Sequence, residues 1–320
     1  MKAATYFHYG PPEVVHLTDV PTPEPGDNDV LLRVKATAVN SGDWRLRKAD
    51  PFGVRLMLGL TKPRIHILGA VFSGTIERVG KNVKRFAVGD EVFGHTDMRF
   101  GAHAEYLVVP ESGSLALKPA QLTHSEAAVI PFGGTSALHF LKKANIKPGQ
   151  RVLVNGASGA VGSAAVQLAK YFGASVTGVC STTNVDLVKS LGADHVIDYT
   201  QTDFSTSGET YDVIIDTVNK LPFSQCIRLL KKDGVLILSA AELPQMLRGI
   251  WTSLTSTQKV LMGVISHTAE DILLLKKLVE IGKLKPVLDK TYPLEKIGEA
   301  HGYVEKGHKK GNVAIVVGEE

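Results

Sequence analysis

The segment Gly156-Ala157-Ser158-Gly159-Ala160-Val161-Gly162 constrains this chain more than any other. It follows a β-like run, Arg151-Val152-Leu153-Val154-Asn155, and opens a helix of small residues, Ser163-Ala164-Ala165-Val166-Gln167-Leu168-Ala169-Lys170. A glycine spacing alone is a weak signal, but a strand, a glycine turn and a helix in that order make a dinucleotide-binding one. Gly156 suits the tight turn, Gly159 lets backbone N–H groups approach a pyrophosphate, and Gly162 lets the helix press against its strand. The positive end of that helix then faces the phosphates with its orphan N–H groups. The competing reading is a glycine-rich loop in some other α/β protein, and the strand–helix context favours the cofactor over it.

A second strand, Ala174-Ser175-Val176-Thr177-Gly178-Val179-Cys180, ends in Ser181-Thr182-Thr183-Asn184. NAD-selective folds place an acidic residue at this strand end to bind the ribose diol. None occurs here before Asp186, which falls inside the next helix. Hydroxyls and an amide donate to a 2′-phosphate that a carboxylate would repel, so the run favours NADPH. The same hydroxyls could instead cap the helix carrying Leu187 and Val188.

At 320 residues, with 44% hydrophobic and 21% charged residues, the chain has the size and composition of a soluble two-domain protein. Its net charge of +4 is mild, and Lys231-Lys232-Asp233 and Lys309-Lys310 read as solvated turns; nucleic acid is not an expected partner. Cys180 and Cys226 make neither a disulfide framework nor a zinc cluster. The N-terminus shows no signal-type pattern and no apolar run is long enough for a membrane helix, so a cytoplasmic, membrane-free protein is expected.

Short β-like runs punctuated by glycine and proline fill the first part of the chain, for example Val30–Val34, Ala70–Val79 and Glu105–Val109. From about residue 121 helices alternate with compact apolar strands, among them Asp194–Ile197, Tyr211–Asp216 and Gly234–Ser239. That alternation implies an α/β fold with a doubly wound parallel sheet. Asp271–Glu280 reads as an amphipathic helix, and after Pro286 the short-strand pattern returns, ending in Asn312–Val317. The expected organisation is a β domain of residues 1–121 and 285–320 with a cofactor domain of residues 122–284 inserted in it, and a cleft between them.

Several ordered motifs resemble the medium-chain dehydrogenase/reductase superfamily, and its zinc-free quinone-oxidoreductase-like branch in particular. They are Ala38-Val39-Asn40-Ser41-Gly42-Asp43-Trp44-Arg45, Ile67-Leu68-Gly69-Ala70-Val71-Phe72-Ser73-Gly74, Phe86-Ala87-Val88-Gly89-Asp90-Glu91-Val92-Phe93-Gly94, Gly133-Gly134-Thr135-Ser136-Ala137, Leu191-Gly192-Ala193-Asp194 and Lys309-Lys310-Gly311-Asn312-Val313. The resemblance covers nearly the whole chain. It implies a GroES-like β barrel beside the Rossmann cofactor domain, and a homodimer. Zinc-dependent members have a cysteine where this chain has Asn40 and a His-Glu pair where it has Ala70-Val71; the residues here cannot supply zinc's ligands. His95 and His103 lack further spaced ligands, so no metal is expected.

Residue roles follow from the same resemblance. Asn40 would lie at the nicotinamide end, donating to the carboxamide or the substrate, or would make only a turn hydrogen bond. Asp43 would hold its loop together, and Trp44 would wall the substrate pocket or pack the barrel. Thr135 would approach the cofactor or cap a helix beginning near Ser136. Ser158, Gly159, Ala160, Val161 and Gly162 would hold the pyrophosphate. Ser181, Thr182, Thr183 and Tyr199 would surround the 2′-phosphate. Thr217, Val218, Ser239 and Ala240, at strand ends, would lie beside the nicotinamide.

Without zinc, no Lewis acid stabilises the alkoxide of a simple alcohol, whereas a quinone or α,β-unsaturated carbonyl spreads the new charge over its π system. The resemblance therefore implies an NADPH-dependent hydride transfer to an electrophilic quinone or enone, with the proton delivered by solvent or a ribose hydroxyl. The rival readings are a reductase of saturated aldehydes or ketones, and a non-catalytic NADPH-binding protein with a structural or RNA-binding role. Arg45, Arg47, Arg55 and Arg64 could attract an anionic substrate or be solvated surface charge.

Overall fold

The computed structural model describes residues 1–204, 208–239, 241, 243–263 and 265–318. It divides into two compact units, one of residues 1–132, 267–280 and 286–320, the other of residues 133–266 and 281–285.

The chain begins with a two-stranded antiparallel pair, β1 (Lys2–Thr5) and β2 (His16–Asp19). The long strand β3 (Asp29–Val39) runs into α1 (Ser41–Lys48) and the short α2 (Val54–Leu58), then β4 (Val71–Val79), β5 (Glu91–His95), β6 (Tyr106–Pro110), β7 (Ser114–Leu117) and α3 (His124–Ala128). Helix α4 (Ile130–Lys143) carries the boundary between the units and leads to β8 (Arg151–Asn155), α5 (Ala160–Tyr171), β9 (Ser175–Cys180), α6 (Val185–Ser190), β10 (His195–Asp198), β11 (Tyr211–Asp216), α7 (Phe223–Leu229), β12 (Leu230–Leu238), α8 (Leu243–Thr255) and β13 (Lys259–Leu261). The chain ends with α9 (Ala269–Glu280), β14 (Leu288–Pro293), α10 (Ile297–Glu305) and β15 (Asn312–Val316).

In the first unit β3 is long enough to hold two partners in succession along one edge. Its residues Asp29–Arg33 pair with β6 and Ala36–Val39 with β15, while β4 takes the other edge. The C-terminal strand is thereby built into the N-terminal sheet, which runs β14-β15-β3-β4-β5-β7. Val30, Leu32, Phe72, Ile76, Val92, Leu115, Val313 and Ile315 form its core with Ile297, Ala300 and Val304 of α10. These are the inward positions of alternating strands, with one helix face laid over them.

The second unit holds a six-stranded sheet in the order β10-β9-β8-β11-β12-β13, parallel throughout. Numbered within the unit that is 3-2-1-4-5-6, the doubly wound order in which the chain reverses direction between the first and fourth strands. Val152, Leu153 and Val154 are fully buried, as expected of a central strand covered on both faces.

The unit boundaries differ from the sequence expectation in two places. The first unit extends to Phe132 rather than ending near residue 121, because α3 packs against β3 and β4. Helix α9 falls in the first unit, since it packs against β7 and its backbone at Val279 accepts the Gln121 amide at 3.2 Å. Among the described residues no helix is long and apolar enough to cross a membrane.

Candidate functional site

In the second unit the strands β8 and β11 end side by side at the reversal point. Gly156 follows β8 with φ +79°, and a Cβ there would come within 2.6 Å of Thr217 Oγ1 and Val218 Cγ1. Only glycine fits that turn. The Thr217 hydroxyl donates to Asn155 O at 2.8 Å and so fastens the two strand ends together. Gly162 sits in the first turn of α5, where a Cβ would lie 2.1 Å from Gly156 O. The absence of that carbon is what allows the helix to bear directly on the turn. In the same unit, Gly133 of α4 packs on the Ala160 carbonyl just as tightly, with a Cβ-to-oxygen distance of 2.2 Å.

Gly159 is different. It is the N-cap of α5 in an extended conformation, φ −82° and ψ 178°, and a Cβ there would meet only Gly156 O at 3.5 Å. No side chain caps this twelve-residue helix. The N–H groups of Ala160, Val161 and Gly162 belong to the first turn, whose donors have no intrahelical acceptor. An open glycine before an uncapped helix end fits a pyrophosphate. Ser158 Oγ accepts from Asn184 Nδ2 at 3.1 Å, and the same amide donates to Ser181 Oγ at 3.1 Å, so the glycine turn is joined to the end of β9. The Asn184 Oδ1 atom is buried with no hydrogen-bond partner among the described residues.

Beyond β9, Ser181 and Thr183 hydroxyls lie 3.4 Å apart. Thr182 Oγ1 donates to Asp198 Oδ2 at 2.5 Å and lies 2.8 Å from Thr200 Oγ1. Asp198 is not marked by the sequence, because it lies on the next strand and not in the residues directly after β9. Parallel pairing sets Asp198 opposite Cys180, and thus delivers a carboxylate from the neighbouring strand to the hydroxyl cluster. The bond from Thr182 holds that carboxyl below its ordinary range. Tyr199 is tied through its backbone to Cys180 O, and its ring is 57% exposed.

At the other strand ends, Asp216 is buried and accepts from Val218 N, Asn219 N and Asn155 Nδ2 at 3.0–3.1 Å, which fixes the loop after β11. Burial raises its carboxyl above the usual range. Ser239 bonds Asp216 O through both its N–H and its hydroxyl. Val218 is partly exposed and Ala240 lies outside the described residues. Thr135 is fully buried inside α4, five residues after its start, so it caps no helix; the helix begins at Ile130 rather than near Ser136. Burial pushes the Cys180 thiol up to about 11 and Cys226 to about 12, so neither presents a thiolate near neutral pH.

The first unit gathers a second group where β3 ends and β4 begins. Asn40 follows β3 and is the N-cap of α1; its N–H donates to Asp43 Oδ2 at 2.7 Å. Asp43 is buried and also accepts from Gly69 N at 3.2 Å. It therefore clamps the Asn40 turn to the entrance of β4. Burial raises its carboxyl, with His103 opposing the shift. The Asn40 side chain is 2% exposed; its oxygen faces the first-turn N–H of Asp43 in a capping box, while its Nδ2 has no hydrogen-bond partner among the described residues. A buried amide N–H group left without a partner costs stability and is uncommon in a folded core. Trp44 is half-buried against the barrel core and carries the Arg45 guanidinium over its ring at 5.0 Å.

Ala70 and Val71 are buried and apolar, and a carboxamide at residue 40 is no substitute for a thiolate. This donor set does not fit catalytic zinc. Among the described residues, His95, Asp97 and His267 bring ligand-type atoms within 4.8 Å of one another. The two imidazoles stack with centroids 3.8 Å apart and planes 17° from parallel. Their in-plane lone pairs then run side by side instead of converging, and His95 Nδ1 accepts from Asp97 N at 2.8 Å. The stack suits two packed rings better than a shared ion.

Comparison with known proteins agrees with this architecture. The profile "Alcohol dehydrogenase GroES-like domain" matches residues 26–120, and "Zinc-binding dehydrogenase" matches residues 191–315. A 2-methylene-furan-3-one reductase from Solanum lycopersicum is 34% identical over 98% of this chain and 79% of its own length. An NADPH-dependent alkenal/one oxidoreductase from Arabidopsis thaliana, chloroplastic, is 32% identical over the same shares. The solved quinone oxidoreductase from Coxiella burnetii superposes with a TM-score of 0.90 at 29% identity, covering 99% of both chains. A GroES-like β unit and a Rossmann unit define a medium-chain dehydrogenase/reductase. This chain belongs to that superfamily, in its quinone-oxidoreductase-like branch.

Proposed function

We propose that this protein is an NADPH-dependent, zinc-independent oxidoreductase that reduces a quinone or an α,β-unsaturated carbonyl. The carrying observation is the Asn40 side chain, a buried amide whose Nδ2 has no partner among the described residues, at the position where zinc-dependent relatives need a thiolate. A donor prepared there in advance suits an oxygen that gains charge during reaction. The names of the relatives from tomato and Arabidopsis support the acceptor class and the cofactor.

Bound NADPH would supply a hydride from its nicotinamide ring. The first-turn N–H groups of α5 would hold its pyrophosphate, with Ser158 alongside. Ser181, Thr183 and Tyr199 would line the 2′-phosphate, and Thr182 would reach it with a hydroxyl already shared with Asp198. Thr135, Thr217, Val218, Ser239 and Ala240 would border the nicotinamide. Asn40 Nδ2 would donate to the carbonyl oxygen of the acceptor or to the carboxamide, with Asp43 fixing the turn that presents it. Asn40 is the only catalytic residue proposed. The anion formed by hydride addition would take its proton from solvent or a ribose hydroxyl, at oxygen for a quinone and at the α-carbon for an enone.

NADPH consumption against a panel of quinones, an alkenal, an alkenone and a saturated aldehyde tests this reading, with NADH and a chelator as controls. Chelator-insensitive turnover of quinones or enones is expected, and chelator-sensitive aldehyde reduction would overturn it. The active form is proposed to be a homodimer in the cytoplasm. Support for the dimer comes from strand β13, which ends its sheet with one edge open, and from α8 beside it, which exposes Leu247, Trp251 and Leu254. Sedimentation equilibrium would show a single species of twice the chain mass.

A further inference from the structure

One stretch of the first unit carries many more cations than carboxylates. Between Trp44 and Ala70 lie six cations, Arg45, Arg47, Lys48, Arg55, Lys62 and Arg64, and a single carboxylate, Asp50. Their net of +5 exceeds the +4 of the entire chain. Arg47 and Lys48 are engaged by Glu305, at 2.5 and 2.9 Å. Arg45, Arg55, Lys62 and Arg64 are left to define the charge of this face.

The same stretch exposes large apolar side chains. Leu56 is 75% exposed, Phe52 69%, Leu60 61% and Met57 54%. Contacts tie this stretch to residues preceding β2. The Arg55 guanidinium lies 4.9 Å from the Tyr9 ring and 5.7 Å from that of Phe52. Tyr9 donates to Gly59 O at 2.8 Å, and the exposed Phe7 ring packs 4.7 Å from His66. Scattered apolar residues at a surface are ordinary, but a contiguous group of them ringed by cations is a recognition surface.

We propose that this face, built from Phe52, Leu56, Met57 and Leu60 and bordered by Arg55, Lys62 and Arg64, docks on an anionic lipid surface. Apolar side chains would enter the boundary of the acyl chains while the guanidinium and ammonium groups meet phosphates above it. Charge decides between this occupant and a second copy of the chain. A two-fold contact would set the patch against itself, bringing like charges together. The exposed face of α8 carries only Arg248 among its apolar residues, and has no comparable attraction for anionic headgroups.

The experiment is co-sedimentation of the full-length protein, without cofactor or substrate, on phosphatidylcholine vesicles and on vesicles containing roughly one-third phosphatidylglycerol. Binding is expected on the anionic vesicles only, and is expected to be largely lost when ionic strength rises from about 0.1 to about 0.5 M. The triple variant Arg55→Gln/Lys62→Gln/Arg64→Gln should weaken partitioning about a hundredfold, at about fivefold per cation. Leu56→Ser/Met57→Ser should weaken it at least about tenfold while leaving the melting temperature unchanged. Absence of binding to the anionic vesicles, equal binding to both kinds, or binding indifferent to both variants would overturn the proposal. So would a shift from dimer to monomer caused by Leu56→Ser/Met57→Ser. The readout involves no turnover, so its failure is distinct from failure of the reductase reading.

Discussion

Asn40 combines two properties that a single substitution separates. It is the N-cap of α1, and its Nδ2, buried without a partner among the described residues, is the donor proposed to act on the substrate oxygen. Asn40→Leu replaces the amide by an apolar group of similar shape. Urea unfolding is expected to change by less than about 1 kcal/mol, because loss of the helix cap opposes removal of the unpartnered N–H group from the core. Steady-state kinetics should show kcat/KM for a quinone reduced about a hundredfold. A variant that loses stability and keeps activity would assign Asn40 to the turn alone. Asp198 offers an independent test. Its carboxylate accepts from Thr182 in the hydroxyl cluster that is proposed to surround the 2′-phosphate. Asp198→Asn removes a like charge and should lower KM for NADPH roughly fivefold without changing KM for NADH. The Asn40 turn could be marked from its motif, but the burial of its Nδ2 without a partner depends on how Asp43 and the entrance of β4 close over that turn. The Asp198 contact depends on strand register, which one sequence does not specify.

The glycine turn shows how elements, once formed, divide roles among like residues. Gly162 is where α5 meets the turn, and a methyl group there would collide with Gly156 O at 2.1 Å. Backbone would have to move, and Gly162→Ala should cost about 2–3 kcal/mol in an unfolding titration. Gly159 has an ordinary negative φ and open space, so Gly159→Ala should unfold within about 0.5 kcal/mol of the parent. Its methyl group would project into the expected phosphate position, and fluorescence titration should show NADPH binding weakened at least about tenfold. If Gly159→Ala binds NADPH normally, the pyrophosphate does not lie at this helix end. The strand–turn–helix signal and the strands around it were legible because buried strands and small-residue helices impose strong local patterns. Strand β11 runs Tyr211–Asp216, the residues its apolar run marks out. The placement of α9 was not legible: its amphipathic pattern shows that one face is buried, but not that β7 covers it. For the same reason the stack of His95 on His267, which joins β5 to the approach to α9, could not be read from a spacing.

At the scale of the molecule, two buried imidazoles make stability depend on pH, and the dependence belongs to the first unit. Burial holds His95 well below its ordinary range, reinforced by His267, and holds His301 there too, reinforced by His103 and Arg47. Both His301 ring nitrogens are buried without hydrogen-bond partners among the described residues, which is the structural reason for its neutrality. Above the unfolded histidine range, near pH 6.5, these groups are neutral in both states and contribute no pH dependence. Below it the unfolded chain takes up protons that the native unit refuses, so stability falls as pH falls. Each histidine should contribute a slope of about 1.4 kcal/mol per pH unit at most. The chain has two tryptophans, Trp44 in the first unit and Trp251 in the second, so a Trp251→Phe background makes Trp44 fluorescence a reporter of the first unit alone. Urea titrations in that background at pH 7, 6 and 5 are expected to show progressive loss of stability. His301→Leu should lower the slope by about one proton and raise stability at pH 5 more than at pH 7. A slope unchanged by His301→Leu would mean that the acid sensitivity arises elsewhere, and that His301 finds in solution a partner able to hold its proton.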